Sequence, residues 1–227
     1  MTRRLDRTAH DEAGGGSAAA AGREDTRDLI LDVAQELLQT RGFNAFSYQD
    51  IADRVGIRKA SIHYHFPGKE ELGVAMVDRF RRGGRAWARH LAAQGASPRQ
   101  KLEALFDYFR GIVLEGTKIC AYGILSAEYN ALPEGMRAGI QDFHADHVRW
   151  LTDILTAGRE AGVFQTIGTS EDQAMLVAAA LQGAVQLART ASDAGRYEAT
   201  VEQLRRLIVR PAPDAVEKIT SEAQTMG

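Results

Sequence analysis

From Asp25 onward, apolar side chains recur every three or four residues: Leu29, Ile30, Val33, Ala34, Leu37 and Leu38 form one stripe. This is the pattern of an amphipathic helix. Gly42 ends the helix as a C′ glycine, with Phe43 packing back behind it. Ser47-Tyr48-Gln49-Asp50 then reads as a capping box that opens a short helix with Ile51, Ala52 and Val55 inward and Gly56 as its break. A second short helix runs from about Arg58 to Phe66, and Pro67-Gly68 stops it. The next opens at Lys69, with Leu72, Met76 and Phe80 on its buried side. Further helices are predicted over roughly 99–114, 120–131, 135–160, 171–193 and 196–209, with breaks at Gly116, Pro133, Gly162, Gly168 and Gly195 and with Pro211 beyond the last. Strand-like alternation between turn signals is missing, so the fold class is all-α.

Two short helices joined by a glycine turn, inside a three-helix unit, form a helix-turn-helix, whose second helix fits the major groove of DNA. The charge total first argues against such a partner. The 227 residues hold 28 Lys and Arg against 30 Asp and Glu, a net −2. Resolved by segment, however, residues 54–102 carry eleven bases and three acids, or +8, between a −4 stretch (23–53) and a −6 remainder (103–227). Arg54 to Lys69 has four bases, two histidines and no acid. With Ile62 and Phe66 facing inward, Arg58, Lys59, Ser61, His63, Tyr64 and His65 remain for the outer face. All six are donors suited to phosphates or base edges. Ser47 and Tyr48 at the start of the first short helix, and Lys69 at the start of the next long one, are further candidate phosphate contacts.

The run from Thr26 to Leu72 resembles the N-terminal domain of the TetR family of bacterial repressors. It combines T-R-x-x-I-L, R-G-F, S-x-x-D-I-A, V-G-I and H-F-x-x-K-E-E-L. The resemblance implies an all-helical homodimer that reads a palindromic operator in double-stranded DNA and holds a small-molecule effector in its larger domain. It places DNA contacts on Thr26, Ser47, Tyr48, Lys59, Ala60, Ser61, Tyr64, His65 and Lys69. His63 stands where the family commonly has tyrosine, which would make a phosphate contact there pH-dependent. The expected organisation is a flexible tail over 1–22, built on the low-complexity AGGGSAAAAG, then a DNA-binding domain over 23–83 and an effector and dimerisation domain over 84–227. The family's dimer bundle would use 171–193, with Gly183 allowing close approach, and 196–209, where Val201, Leu204 and Ile208 form a matching stripe.

Cys120 is the one cysteine, so an intrachain disulfide is excluded. It should lie in the first turn of a helix, where the macrodipole favours a thiolate. Its position six residues before Ser126-Ala127-Glu128 resembles a TetR subgroup that represses reductases and senses electrophiles through a cysteine. The other reading is a non-covalent apolar pocket with a structural Cys120, drawn from Phe106, Phe109, Tyr122, Tyr129, Phe143, His147 and Trp150. His144 and His147, with Asp142 and Asp146 nearby, make a weak metal pair without a clear third ligand, so neither metal nor cofactor is expected. No phosphate loop, HExxH or GxSxG motif occurs, which argues against an enzyme. A helical protein-interaction adaptor without DNA binding remains the rival class. No run of eighteen apolar residues and no apolar leader after MTRRLDRTAH is present, so no membrane association and a cytoplasmic location are expected.

Overall fold

A computed structural model describes residues 15–165 and 167–210, with side chains from Asp25 on. The chain order is α1 (Gly15–Arg41), α2 (Tyr48–Val55), α3 (Lys59–His65), α4 (Lys69–Ala93), α5 (Pro98–Leu114), α6 (Ala121–Ala127), a 3-10 turn (Tyr129–Ala131), α7 (Glu134–Glu160), α8 (Ser170–Ala191) and α9 (Gly195–Ile208). Among the described residues, strand pairing is confined to an isolated bridge between Phe164 and Val209. The all-α expectation holds, and most predicted bounds fall within a residue or two of the helices observed.

Three local readings change. Helix α1 reaches back to Gly15, into the stretch expected to be a flexible tail. Ala18 to Ala21 have the highest helix propensity of any residue type and extend a helix already anchored downstream. Residues 1–14 and Pro211 lie outside the described residues. The helix expected over 120–131 ends at Ala127 and tightens into the 3-10 turn ahead of Pro133, whose ring excludes the α conformation just before it. Within α1, Leu29 is 51% exposed, and the buried stripe is Ile30, Leu31, Ala34, Leu37 and Leu38.

Two apolar cores result. The first gathers the inner faces of α1 to α4 with Ala121, Leu125, Leu132, Met136 and Ile140. The second joins α5, the C-terminal half of α7, α8 and α9, and Tyr122 packs against both. Helix α4 runs unbroken through Gly83-Gly84, so a single rod connects the two. At its N-terminal end it meets α7 closely: a Cβ on Gly73 would stand 2.2 Å from Met136 Sδ and 2.9 Å from Phe43 Cζ. A larger residue there would require Met136 and Phe43 to shift. Gly158 is equally constrained, since a Cβ would lie 1.9 Å from the Phe164 ring.

Helix α8 is long and apolar enough to cross a membrane by length and composition. Here Val177, Leu181 and Val185 are buried in the second core, while Met175, Leu176 and Leu187 face outward. Val201, Leu204 and Ile208 of α9, expected to contribute to a dimer stripe, are instead buried in the protomer's own core. Their spacing marks an inward face of α9 without saying what lies against it.

Candidate nucleic-acid interface and ligand cavity

The α2–turn–α3 corner is held by specific polar contacts. Ser47 accepts from the Asp50 amide at 3.4 Å, and its own amide and hydroxyl donate to Asp50 Oδ2 at 2.8 and 2.6 Å. These bonds, with Arg41 alongside, hold the Asp50 carboxyl below the usual range. Gly56 closes α2 in the left-handed region at φ 77°. On α3, Ile62 and Phe66 point inward as expected. Arg58, Lys59, Ala60, His63 and Tyr64 are exposed on one surface, with Ser61 and His65 half-buried beside them. Neither Arg58 nor Lys59 has an ion-pair partner among the described residues, whereas Arg54 is held by Glu36 at 2.9 Å. Arg27, next to the half-buried Thr26, lies 5.1 Å above the Phe66 ring and brings the packed start of α1 against the end of α3.

Three expected contacts have a different local role. Tyr48 is buried, and its hydroxyl donates to the carbonyl oxygens of Phe66, at 3.0 Å, and Gly68. Burial, aided by Glu71, pushes the phenol pKa up to about 12. The side chain therefore ties down the end of α3, and its hydroxyl is not presented outward. Lys69 folds back over Phe43 and Phe46, 4.9 and 4.4 Å from the ring centroids, and donates to the Phe46 carbonyl. Burial lowers its pKa against the opposing pull of Glu128 and Asp50. His63 keeps Nδ1 3.1 Å from the Pro67 carbonyl oxygen and leans edge-on against Tyr48.

A cavity of about 650 Å³ lies beside the C-terminal half of α4, bounded by α5, α6, α7 and Gln182 of α8. Cys120, Tyr122, Phe109, Phe143, His147 and Trp150 line it, as the sequence suggested. Phe106 and Tyr129 do not. Phe106 is fully buried in the second core under Arg205, and Tyr129 packs against the first core with its hydroxyl accepting from Gln141. Helical spacing could not tell a core face from a cavity face. The residues missed are Trp87, 5.2 Å from Trp150, Tyr108 at 6.1 Å from Trp87, and the arginines of α4. Phe80, Gly84 and Trp87, one helical face of α4, were the available signal. The basic block hid it: four of its eleven bases, Arg79, Arg81, Arg85 and Arg89, line this cavity and not the α3 surface.

Cys120 is the N-cap of α6, one residue ahead of the expected first turn. It is buried and receives a hydrogen bond from Gln182 Nε2 at 3.3 Å. Burial, reinforced by His144, lowers the pKa of His147 from 6.5 to about 4, so this ring is neutral at pH 7. His144 is engaged by the Tyr122 hydroxyl at 2.8 Å, and Asp146 by Arg85 at 2.7 Å. No group of three metal-ligating side chains forms among the described residues.

Helix α6 is also fastened to the α1–α2 corner at both ends. Ile119, just before it, exchanges hydrogen bonds with Gln39, the Ile119 amide to the Gln39 carbonyl at 3.0 Å and Gln39 Nε2 to the Ile119 carbonyl at 3.1 Å. At the far end Glu128 accepts from the Asn44 amide and side chain at 3.2 and 3.0 Å.

Comparison with known proteins agrees with this architecture. The family profile described as bacterial regulatory proteins, tetR family, matches residues 30–76. A TetR-family transcriptional regulator from Agrobacterium tumefaciens superimposes with a TM-score of 0.77 at 33% identity, over 82% of this chain and 98% of that one. The chain belongs to the TetR family. It is thus a DNA-binding transcriptional regulator and not an enzyme. Among other relatives, the HTH-type transcriptional repressor KstR2 of Mycobacterium tuberculosis is 29% identical over 61% of this chain and 69% of its own length. The repressor NemR of Escherichia coli is 25% identical over 83% of this chain and 96% of its own. The reduced form of NemR superimposes with a TM-score of 0.70, covering 83% of this chain and all of that one.

Proposed function

We propose that the protein is a cytoplasmic homodimeric repressor that reads a palindromic operator and is released when its cavity is occupied or Cys120 is modified. In this reading residues 23–83 bind DNA and residues 84–227 sense and dimerise. The observation that carries it is structural economy: the cavity is walled by α4, which continues into the DNA-reading unit, and by α6, which is hydrogen-bonded to that unit's α1–α2 corner. Two recognition helices must sit about 34–36 Å apart, or a multiple, to enter successive major grooves. A cavity that shifts α4 and α6 changes that spacing. An effector acts this way only by binding one of the two conformations better.

The surface of α3 supports the DNA half of the reading, and its test is a salt titration on operator and random duplexes. Binding falls steeply with salt on both, with added affinity for the palindrome. Arg58→Ala and Lys59→Ala each reduce the salt slope by about 1, uniformly across sequences, while Tyr64→Ala changes which operator is preferred. Absence of binding to either duplex would instead favour the adaptor class.

Two readings of the effector remain, and each has its own support. The buried Cys120 faces the cavity beside Gln182, which suits an electrophile small enough to enter. The aromatic walls suit a ligand held without a covalent bond. Treatment with a quinone separates them: wild type loses operator affinity and Cys120→Ser does not. Equal release of both proteins ends the thiol reading.

A further inference from the structure

We propose that the cavity is selective for a planar aromatic anion, such as an aromatic carboxylate, with the ring against the aromatic wall that Trp87 and Trp150 form together and the acid group at the arginine edge. The inference rests on the cavity being the effector site. Two aromatic clusters line it: Trp87, Trp150 and Tyr108 in one, Tyr122 and Phe143, 5.4 Å apart, in the other. Flat rings are held well against such faces. The volume of about 650 Å³ is that of an ordinary small-molecule site.

The charged lining decides the sign. Five arginines reach the cavity (Arg79, Arg81, Arg85, Arg89 and Arg149), against Asp146 and Asp153. Asp146 is shared by three of them, Arg85 at 2.7 Å, Arg81 at 3.5 Å and Arg149 at 3.9 Å. Arg79 is paired with Asp32, and Arg81 also meets Asp142 at 3.0 Å, both from outside the cavity. Arg89 has no carboxylate partner among the described residues. Guanidinium therefore remains in excess even when these outer acids are counted. A carboxylate supplies two acceptors in the plane that a guanidinium favours. A quaternary ammonium would gain from the rings but meets this cationic edge, where the available carboxylate is already shared.

The test is calorimetry with the full-length protein and three non-electrophilic probes of one shape: 2-naphthoate, 2-naphthamide and 2-naphthyltrimethylammonium. The protein has two tryptophans, and both line the cavity, so tryptophan emission reports where a probe sits. The expected order is acid, amide, cation, with the acid at least about tenfold tighter than the amide, as one charge-assisted contact supplies. In Arg85→Gln/Arg149→Gln that preference falls to about threefold or less. Should the variant fold poorly, 1 M salt on the wild type makes the same test by screening the exposed edge. Equal affinity for acid and amide, or tightest binding of the cation, overturns the ligand class and leaves the cavity a ligand site. If none of the three binds, the effector-site reading falls and takes the ligand class with it.

Discussion

Leu176→Glu/Leu187→Glu should convert the protein into a folded monomer with operator affinity reduced by a factor of about 10² to 10⁴. The two leucines are 54% and 62% exposed on α8, three turns apart and on one face. Gly183 lies between them with nothing near its Cβ position, so a second helix could approach the backbone closely. Met175 on the same helix and Leu207 on α9 are also exposed. An apolar strip on a helix whose other side already fills a core is a natural seat for a second copy. Two glutamates placed opposite their symmetry mates would be buried without partners. Operator affinity suffers because the second half-site is then no longer bound intramolecularly, and that effective concentration accounts for the expected factor. Sedimentation and a gel shift at fixed salt check it together. A variant that remains dimeric would move the interface off this face.

Phe106→Ala should cost about 3–5 kcal/mol of stability, the usual range for deleting a buried phenylalanine ring. The ring is 0% exposed, Arg205 lies 5.5 Å above its centroid, and Tyr197 donates to the Phe106 carbonyl at 2.6 Å. For a chain of this size the melting temperature falls by on the order of 10 °C. Binding of the naphthoate probe at a temperature where the variant is folded should be unchanged. Urea unfolding checks the first statement and calorimetry the second. A loss under about 1 kcal/mol, with altered probe affinity, would put Phe106 back at the ligand.

The contrast between Phe106 and Trp87 shows what was readable in the sequence. Short-range signals placed the DNA-reading unit well: the Ser47–Asp50 box, the glycines at 42 and 56 and the Pro67-Gly68 stop each act within a few residues. Ile62 and Phe66 faced inward because helical phase alone decides that. What phase cannot supply is the identity of the neighbour. Phe106 and Phe109 lie on one face of α5, yet the first meets Arg205 and the second lines the cavity. Tyr48 and Lys69 looked outward by position, but Phe66, Gly68 and two phenylalanine rings were waiting for them across the fold. The basic block was a correct observation given too narrow an assignment. Arg58 and Lys59 lie on the exposed surface of α3, and Arg79, Arg81, Arg85 and Arg89 line the cavity.

The double fastening of α6 has a thermodynamic consequence. Gln39 and Asn44 hold both ends of a helix that forms part of the cavity wall, so under the proposed function DNA at α3 and a molecule beside Cys120 would compete for the same conformational equilibrium. Reciprocity would then follow: whatever factor the effector takes from operator affinity, the operator takes from effector affinity. On that reading the protein waiting on its operator would be a less sensitive detector than the same protein free in solution. The threshold at which it responds is set in part by the DNA it occupies.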